Sequence, residues 1–210
     1  MNKTGPSWQF LGGPGSWPYR IFDSERRRLN RRLAGYLSAN GIQGEKVRVL
    51  EGGSGPGYAS SLLASDRKVR LSVAVDKDVE ALKEARRRDP NLPLVAADLY
   101  HLPFRAGVFD LVWNSSTLEH LDSPETALGE MKRVTREQGQ LFVGVPYRFG
   151  PLGFQPWIRK TRVGVWIGPV FDRSRLSRMM AEQRLRPEAM LTYFFKCFVG
   201  VLARKSGEAL

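Results

Sequence analysis

Short apolar runs separated by glycine, proline and acidic residues dominate the middle of this 210-residue chain. Val47-Arg48-Val49-Leu50, Val69 to Val75, Leu92 to Ala96, Val108 to Trp113 and Leu141 to Val145 are brief and rich in valine and leucine, which predicts five strands. Between them, Gly57 to Ala64, Val79 to Arg88 and Ser123-Pro124 to about Thr135 read as helices. The second stops at Asp89-Pro90, because the residue before a proline is pushed out of the helical region. The third opens with Pro124 at its first position, where the missing N–H costs nothing. Strand and helix alternating in this way predict a parallel, doubly wound sheet covered on both faces.

The flanks read differently. Residues 22–39 carry Phe22, Leu29, Leu33, Tyr36 and Leu37 at helical spacing, with Asp23 or Ser24 as the expected cap and Gly41 as the stop. Arg26, Arg27, Arg28, Arg31 and Arg32 crowd this helix and are expected mostly to face solvent. Residues 1–20 form an arm that is too aromatic for a plain tail, with Trp8, Phe10, Trp17 and Tyr19. After Tyr147 a loop-like aromatic stretch leads to a helix over Arg173 to Glu182, with Asp172 or Ser174 near its start. Glu188 to Leu202 is apolar enough for two closing strands. The expected organisation is one domain: arm and first helix over 1–45, a core over 46–146, and a substrate-side segment with closing strands over 147–210.

Composition narrows the chemistry. With 42% hydrophobic and 26% charged residues the chain is globular. Its one cysteine, Cys197, excludes a disulfide framework and a zinc site of paired cysteines, and no metal is expected. The net charge of +12 is unevenly spread: +4 over residues 1–45, 0 over 46–146 and +8 over 147–210. Basic flanks concentrate anionic partners. The first fifteen residues lack an apolar core of the secretory type, and the apolar tract Ala189 to Ala203 is broken by Lys196, so a soluble cytoplasmic protein without a transmembrane segment is expected.

The most informative segment is Val47-Arg48-Val49-Leu50-Glu51-Gly52-Gly53-Ser54-Gly55-Pro56-Gly57. An apolar strand ends in an acid and then a turn with glycines two apart, which permits positive φ and close approach of a ligand to the backbone. The following helix offers free N–H groups. The dinucleotide pattern G-x-G-x-x-G fails here, since Tyr58 or Ser60 falls where the third glycine is needed. Twenty-five residues after Glu51, Asp76 closes the second strand, where a carboxylate can accept two ribose hydroxyls or cap the next helix, or both. Ala97-Asp98-Leu99 closes the third strand, where Asp98 can accept from an adenine amino group and the Leu99 N–H can reach a ring nitrogen. Three acids at successive strand ends define one rim of an open α/β sheet, the rim at which such sheets bind ligands.

E-x-G-x-G-x-G, followed by Leu102-Pro103-Phe104, Phe109-Asp110-Leu111-Val112 and Leu118-Glu119-His120-Leu121, resembles the class I S-adenosylmethionine-dependent methyltransferases of the methyltransferase-11, or UbiE-like, group over residues 45–146. The resemblance implies a Rossmann-like, seven-stranded sheet, mostly parallel, with an antiparallel last strand. It implies S-adenosyl-L-methionine as cofactor, leaving as S-adenosyl-L-homocysteine, with Glu51, Gly52, Gly53, Gly55, Asp76, Lys77, Asp98 and Leu99 binding it and Asn114 beside it. Ser54 stands where relatives often carry cysteine, and Lys77 is more polar than the residue that often covers the adenine, although its stem can pack there. His120 and Tyr19 are the catalytic candidates. Tyr19 and Trp17 would form part of a lid, with Arg20 pairing the cofactor carboxylate.

Methyl transfer from a sulfonium is an in-line displacement, so alignment and desolvation dominate and a base is needed only for a protonated acceptor. The acceptor expected is a small or lipid-like molecule, and the basic flanks suit an anionic one. Phe149, Phe154, Trp157, Trp166 and Phe171 alternate with Arg159, Lys160, Arg162, Arg173 and Arg175, a mixture that suits phosphate, anionic lipid or nucleic acid. RNA methylation and non-catalytic cofactor binding stand as the alternatives.

Overall fold

A computed structural model describes residues 16–151, 153 and 167–206; within the first helix, the side chains of Pro18, Tyr19 and Phe22 lie outside the description. The strands are β1 (Val47–Gly52), β2 (Val69–Asp76), β3 (Leu94–Ala96), β4 (Phe109–Ser115), β5 (Thr135–Pro146), β6 (Leu185–Tyr193) and β7 (Phe198–Lys205). The helices are α1 (Trp17–Asn40), α2 (Tyr58–Ala64), α3 (Val79–Arg88), α4 (Pro124–Val134) and α5 (Arg173–Glu182).

One seven-stranded sheet has the order β3-β2-β1-β4-β5-β7-β6. β1 pairs parallel with both β2 and β4, β4 with β5, and only β7 runs against its neighbours. The expected architecture is therefore present. The order reverses between β1 and β4, and such a switch point opens a crevice beyond the carboxyl ends of the strands.

Two cores flank the sheet. On one side α1 lays Leu33, Ala34 and Leu37 against Val49, Trp113, Phe142 and Leu202. On the other, Leu128 and Met131 of α4 and Leu176, Met179 and Met180 of α5 pack with Leu50, Val112, Val143 and Val201. The central strands are apolar on both faces because both faces are covered.

Several boundaries move for local reasons. α1 begins at Trp17, five residues before the expected start, so Asp23 sits inside the helix and caps nothing. It accepts instead from Arg26 and Arg27, at 2.5 and 2.7 Å, and from the Tyr58 hydroxyl at 3.2 Å. Arg26, Arg27 and Arg88 stack on the Tyr58 ring at 4.9, 5.0 and 3.8 Å, so two of the arginines expected in solvent tie α1 to α2. β3 starts at Leu94 rather than Leu92, because Pro93 lacks an N–H; its carbonyl still accepts from Ala74 N at 2.9 Å. Ser123 gives no side-chain cap to α4, while Asp172 caps α5 through Arg175 N at 2.8 Å. The β6–β7 turn places Phe194, Phe195 and Lys196 at φ of 50°, 53° and 62°. Side chains other than glycine pay on the order of 1–3 kcal/mol each for such backbone.

Candidate functional site

The site is built on the turn after β1. Gly53, Gly55 and Gly57 have φ of 69°, 52° and 64°, an alternation of left-handed residues that turns the chain from β1 into α2. Ser54 N donates to Val75 O at 2.9 Å, pinning the turn to β2. A Cβ on Gly53 would strike the Thr117 side chain, one on Gly52 would come within 2.7 Å of Leu99 Cδ2, and one on Gly55 would meet only open space. Gly55 is thus the glycine at which a ligand has room. Thr117, which the sequence did not single out, is the wall over Gly53 and lies 3.3 Å from its carbonyl through Oγ1.

Asp76 faces this space from the end of β2. Its Oδ2 accepts from Gly55 N at 2.6 Å and its Oδ1 from Asp78 N at 2.8 Å. Burial raises its pKa, against the pull of these N–H donors. Each oxygen keeps a lone pair free for a further donor. Asp76 does not cap α3; Asp78 does, accepting from Glu80 N and Ala81 N at 2.9 and 3.2 Å. Asp98, exposed beyond β3, accepts from Tyr100 N at 3.0 Å, and the buried Leu99 packs on Gly52. Lys77 is exposed beside Asp76.

Glu51, expected beside the cofactor, is engaged by α2 in this structure. It is buried, and one carboxylate oxygen accepts from Ser60 N at 3.0 Å and from the Ser60 hydroxyl. Gly57 offers α2 no side-chain cap, so Glu51 supplies one from the preceding strand. Burial pushes its pKa up to about 8. Asn114 also turns inward: it is fully buried, and its Nδ2 donates to Gly52 O at 2.6 Å while Oδ1 has no partner among the described residues. Glu51 and Asn114 shape the turn from behind, whereas Gly55, Asp76, Lys77 and Asp98 border its open side.

The loop after β4 completes the rim. Ser116 holds a φ of 58° and donates its N–H to Gly144 O at 2.9 Å. On the 3₁₀ turn Leu118–His120, Glu119 has a side chain only 1% exposed; burial drives its pKa up to about 8. Its Oε1 lies 3.9 Å from Nε2 of the half-exposed His120, and its Oε2 is unpaired among the described residues. From β6 the half-buried Tyr193 reaches across the sheet, its hydroxyl 2.8 Å from Ser115 Oγ at the tip of β4. Gly144 and Gly200 make room for it: a Cβ on Gly144 would strike the Tyr193 hydroxyl, and one on Gly200 would lie 3.2 Å from its ring. Sequence reasoning quoted Glu119 within its motif without giving it a role, and missed Tyr193 because only strand order brings it to the β4 tip. The Tyr19 side chain lies outside the described residues, as do Phe154, Trp157, Arg159, Lys160, Arg162 and Trp166. No group of three or more His, Cys, Asp or Glu among the described residues can hold a metal, and no helix there is long and apolar enough to cross a membrane.

Residues 50–143 match the family model described as a methyltransferase domain. A malonyl-[acyl-carrier protein] O-methyltransferase of Geobacter sulfurreducens is 28% identical over 175 residues, covering 82% of this chain and 64% of that protein. A demethylmenaquinone methyltransferase of Renibacterium salmoninarum is 38% identical over 96 residues, 46% of this chain and 40% of that protein. The chain thus spans less than two thirds of the length of these curated relatives. Among solved structures, geranyl diphosphate C-methyltransferase from Streptomyces coelicolor superposes with a TM-score of 0.69 at 17% identity, over 93% of this chain and 88% of that one, and shares the fold. By its match over residues 50–143 and its sheet order, this chain is similar to the S-adenosylmethionine-dependent methyltransferases and has their class I fold.

Proposed function

We propose that this chain transfers a methyl group from S-adenosylmethionine to a small or lipid-like acceptor that carries negative charge. The observation that carries the reading is Asp76, fixed by Gly55 N and Asp78 N at the end of β2 with lone pairs to spare, beside a glycine turn that is open at Gly55. That pair of acceptors suits a ribose diol. Asp98 would accept from the adenine amino group, the Leu99 N–H would reach a ring nitrogen, and Gly55 would leave space for the amino-acid end, with Gly53 holding the turn against Thr117. Lys77 would lay its stem along the adenine. Glu51 and Asn114 act one step back, by holding Ser60 and Gly52 in place.

When bound, the cofactor supplies an electrophilic methyl on a sulfonium, and sulfur keeps the electron pair of the broken bond. The protein's task is to align the acceptor with that methyl and to exclude water. His120, half exposed with the Glu119 carboxyl group 3.9 Å away, takes the proton of an acceptor that is not already ionised. The basic flanks, with net charges of +4 and +8, favour an anionic acceptor, as does the malonyl acceptor in the name of one curated relative, while the demethylmenaquinone in the name of the other favours a lipid-like one.

Calorimetry with S-adenosylmethionine and S-adenosylhomocysteine tests the cofactor step. Asp76→Ala is expected to weaken binding by about 2–4 kcal/mol, or roughly 30-fold to 1,000-fold in Kd, since hydrogen bonds to a charged acceptor are lost. Asp76→Asn, which keeps one acceptor oxygen, should fall between. Unchanged affinity in both variants would remove Asp76 from the site.

A further inference from the structure

The outward face of α1 does not match an ordinary solvated helix. Trp17, Ile21, Ser24, Arg28, Arg31, Arg32 and Gly35 recur three or four residues apart and are all exposed. Trp17 is 74% exposed and Ile21 57%. The β6–β7 turn leans on the same helix. Between them lies a cleft of about 190 Å³, with Leu29, Leu191 and Phe194 among its apolar walls and the exposed Arg28 and Arg32 also lining it. At the tip of this turn Phe195 is 71% exposed while held at a φ of 53°, between two further left-handed residues. The chain thus accepts backbone strain to present a phenyl ring to water, a combination that points to a binding surface. Phe149, 55% exposed beside Arg148, adjoins the turn, because Tyr147 N donates to Cys197 O at 2.8 Å.

Topology sets this surface next to the methyl-transfer site. Pro146, the last residue of β5, pairs with Phe198, so the turn stands at the carboxyl edge of the parallel strands, the edge that also bears Asp76 and Asp98. The charge is one-sided. α1 holds six arginines against Asp23 and Glu25. Asp23 is occupied by Arg26 and Arg27, and Glu25 by Arg28 at 3.5 Å. Arg20, Arg31 and Arg32 have no ion-pair partner among the described residues, and Lys196 adds an exposed cation in the turn.

We propose that this face docks the protein on a bilayer rich in anionic lipid, with Trp17, Ile21 and Phe195 entering the headgroup boundary and Arg28, Arg31 and Arg32 meeting lipid phosphates. Nucleic acid would use the arginines and the rings equally well, but Ile21 and the aliphatic walls of the cleft neither stack nor hydrogen-bond, and they favour acyl chains. The docked orientation holds the site's rim at the lipid surface. The proposal stands independently of methyl transfer, and it is tested without cofactor.

The full chain is sedimented with vesicles of phosphatidylcholine alone and of phosphatidylcholine mixed with phosphatidylglycerol, at low and high salt. Binding is expected only with phosphatidylglycerol present, and it should weaken as salt rises. Phe195→Gly should reduce it about tenfold or more, since one buried phenyl is lost. Glycine suits the positive φ, so this variant keeps the turn, and a thermal melt verifies it. Arg31→Glu combined with Arg32→Glu, both on the surface, should abolish binding. Equal binding to neutral vesicles, no vesicle binding at all, wild-type binding by both variants, or an RNA oligonucleotide bound while vesicles are not would each overturn the proposal.

Discussion

Glu119 gives the site a measurable pH signature. Its carboxyl is buried on the turn after β4, one oxygen has no partner among the described residues, and the other lies 3.9 Å from His120 Nε2. Burial lifts its pKa from 4.5 to about 8. The folded protein therefore keeps a proton that the unfolded chain releases above about pH 4.5. Folding stability tied to this group is fully present below that pH and is lost as pH rises toward 8. A tenfold difference in proton affinity between the folded and unfolded chain corresponds to about 1.4 kcal/mol, so the loss between pH 5 and pH 8 is about 3–4 kcal/mol. Glu119→Gln keeps the shape and removes the titration. Its buried amide lowers stability by about 1–3 kcal/mol at pH 5, and because its pH slope is shallower than that of the wild type by about one proton, this deficit shrinks as pH rises and is gone by pH 8. Glu51, also raised to about 8 by burial, titrates in both proteins and leaves a residual slope. Urea unfolding of the two proteins from pH 5 to pH 8 measures the difference. Parallel stability curves over that range would show that Glu119 is ionised in the folded protein and that its surroundings are not as dry as described.

Other substitutions probe the frame around the site. Gly144→Ala should destabilise by about 1–3 kcal/mol, because its methyl group would collide with the Tyr193 hydroxyl; a thermal melt reads this, and Gly144→Ala with Tyr193→Leu should recover part of the loss. Asp78→Ala should cost about 1 kcal/mol through loss of the cap on α3, measured by urea unfolding, whereas a cap at Asp76 would leave it silent. His120→Ala should lower the methyl-transfer rate for a protonated acceptor, with affinity for S-adenosylhomocysteine unchanged, by kinetics and calorimetry respectively.

Much of this was legible in the chain because it is local. The valine-rich runs, the acid-glycine turn and Asp76 and Asp98 at strand ends depend on near neighbours, and the sheet assembles them as expected. What the sequence concealed depends on contacts across the fold. Glu51 serves as a cap for α2 because Gly57 cannot, which only the β1–α2 geometry reveals. Asp23 leaves its expected capping role because α1 extends back to Trp17 and sets it against Tyr58. Tyr193 reaches Ser115 by crossing two glycines on strands that are distant in sequence. The three left-handed residues at Phe194, Phe195 and Lys196 lack the glycine or asparagine that would have announced them.

The central claim is that the rim formed by β1, β2 and β3 grips one adenosyl amino acid. A co-crystal structure with S-adenosylhomocysteine tests it most directly. The account predicts both ribose hydroxyls in hydrogen-bonding range of Asp76, the adenine beside Asp98 and Leu99, and the amino-acid end over Gly55. A nucleoside lodged instead in the cleft between α1 and the β6–β7 turn, with Asp76 bonded only to Gly55 and Asp78, would contradict it.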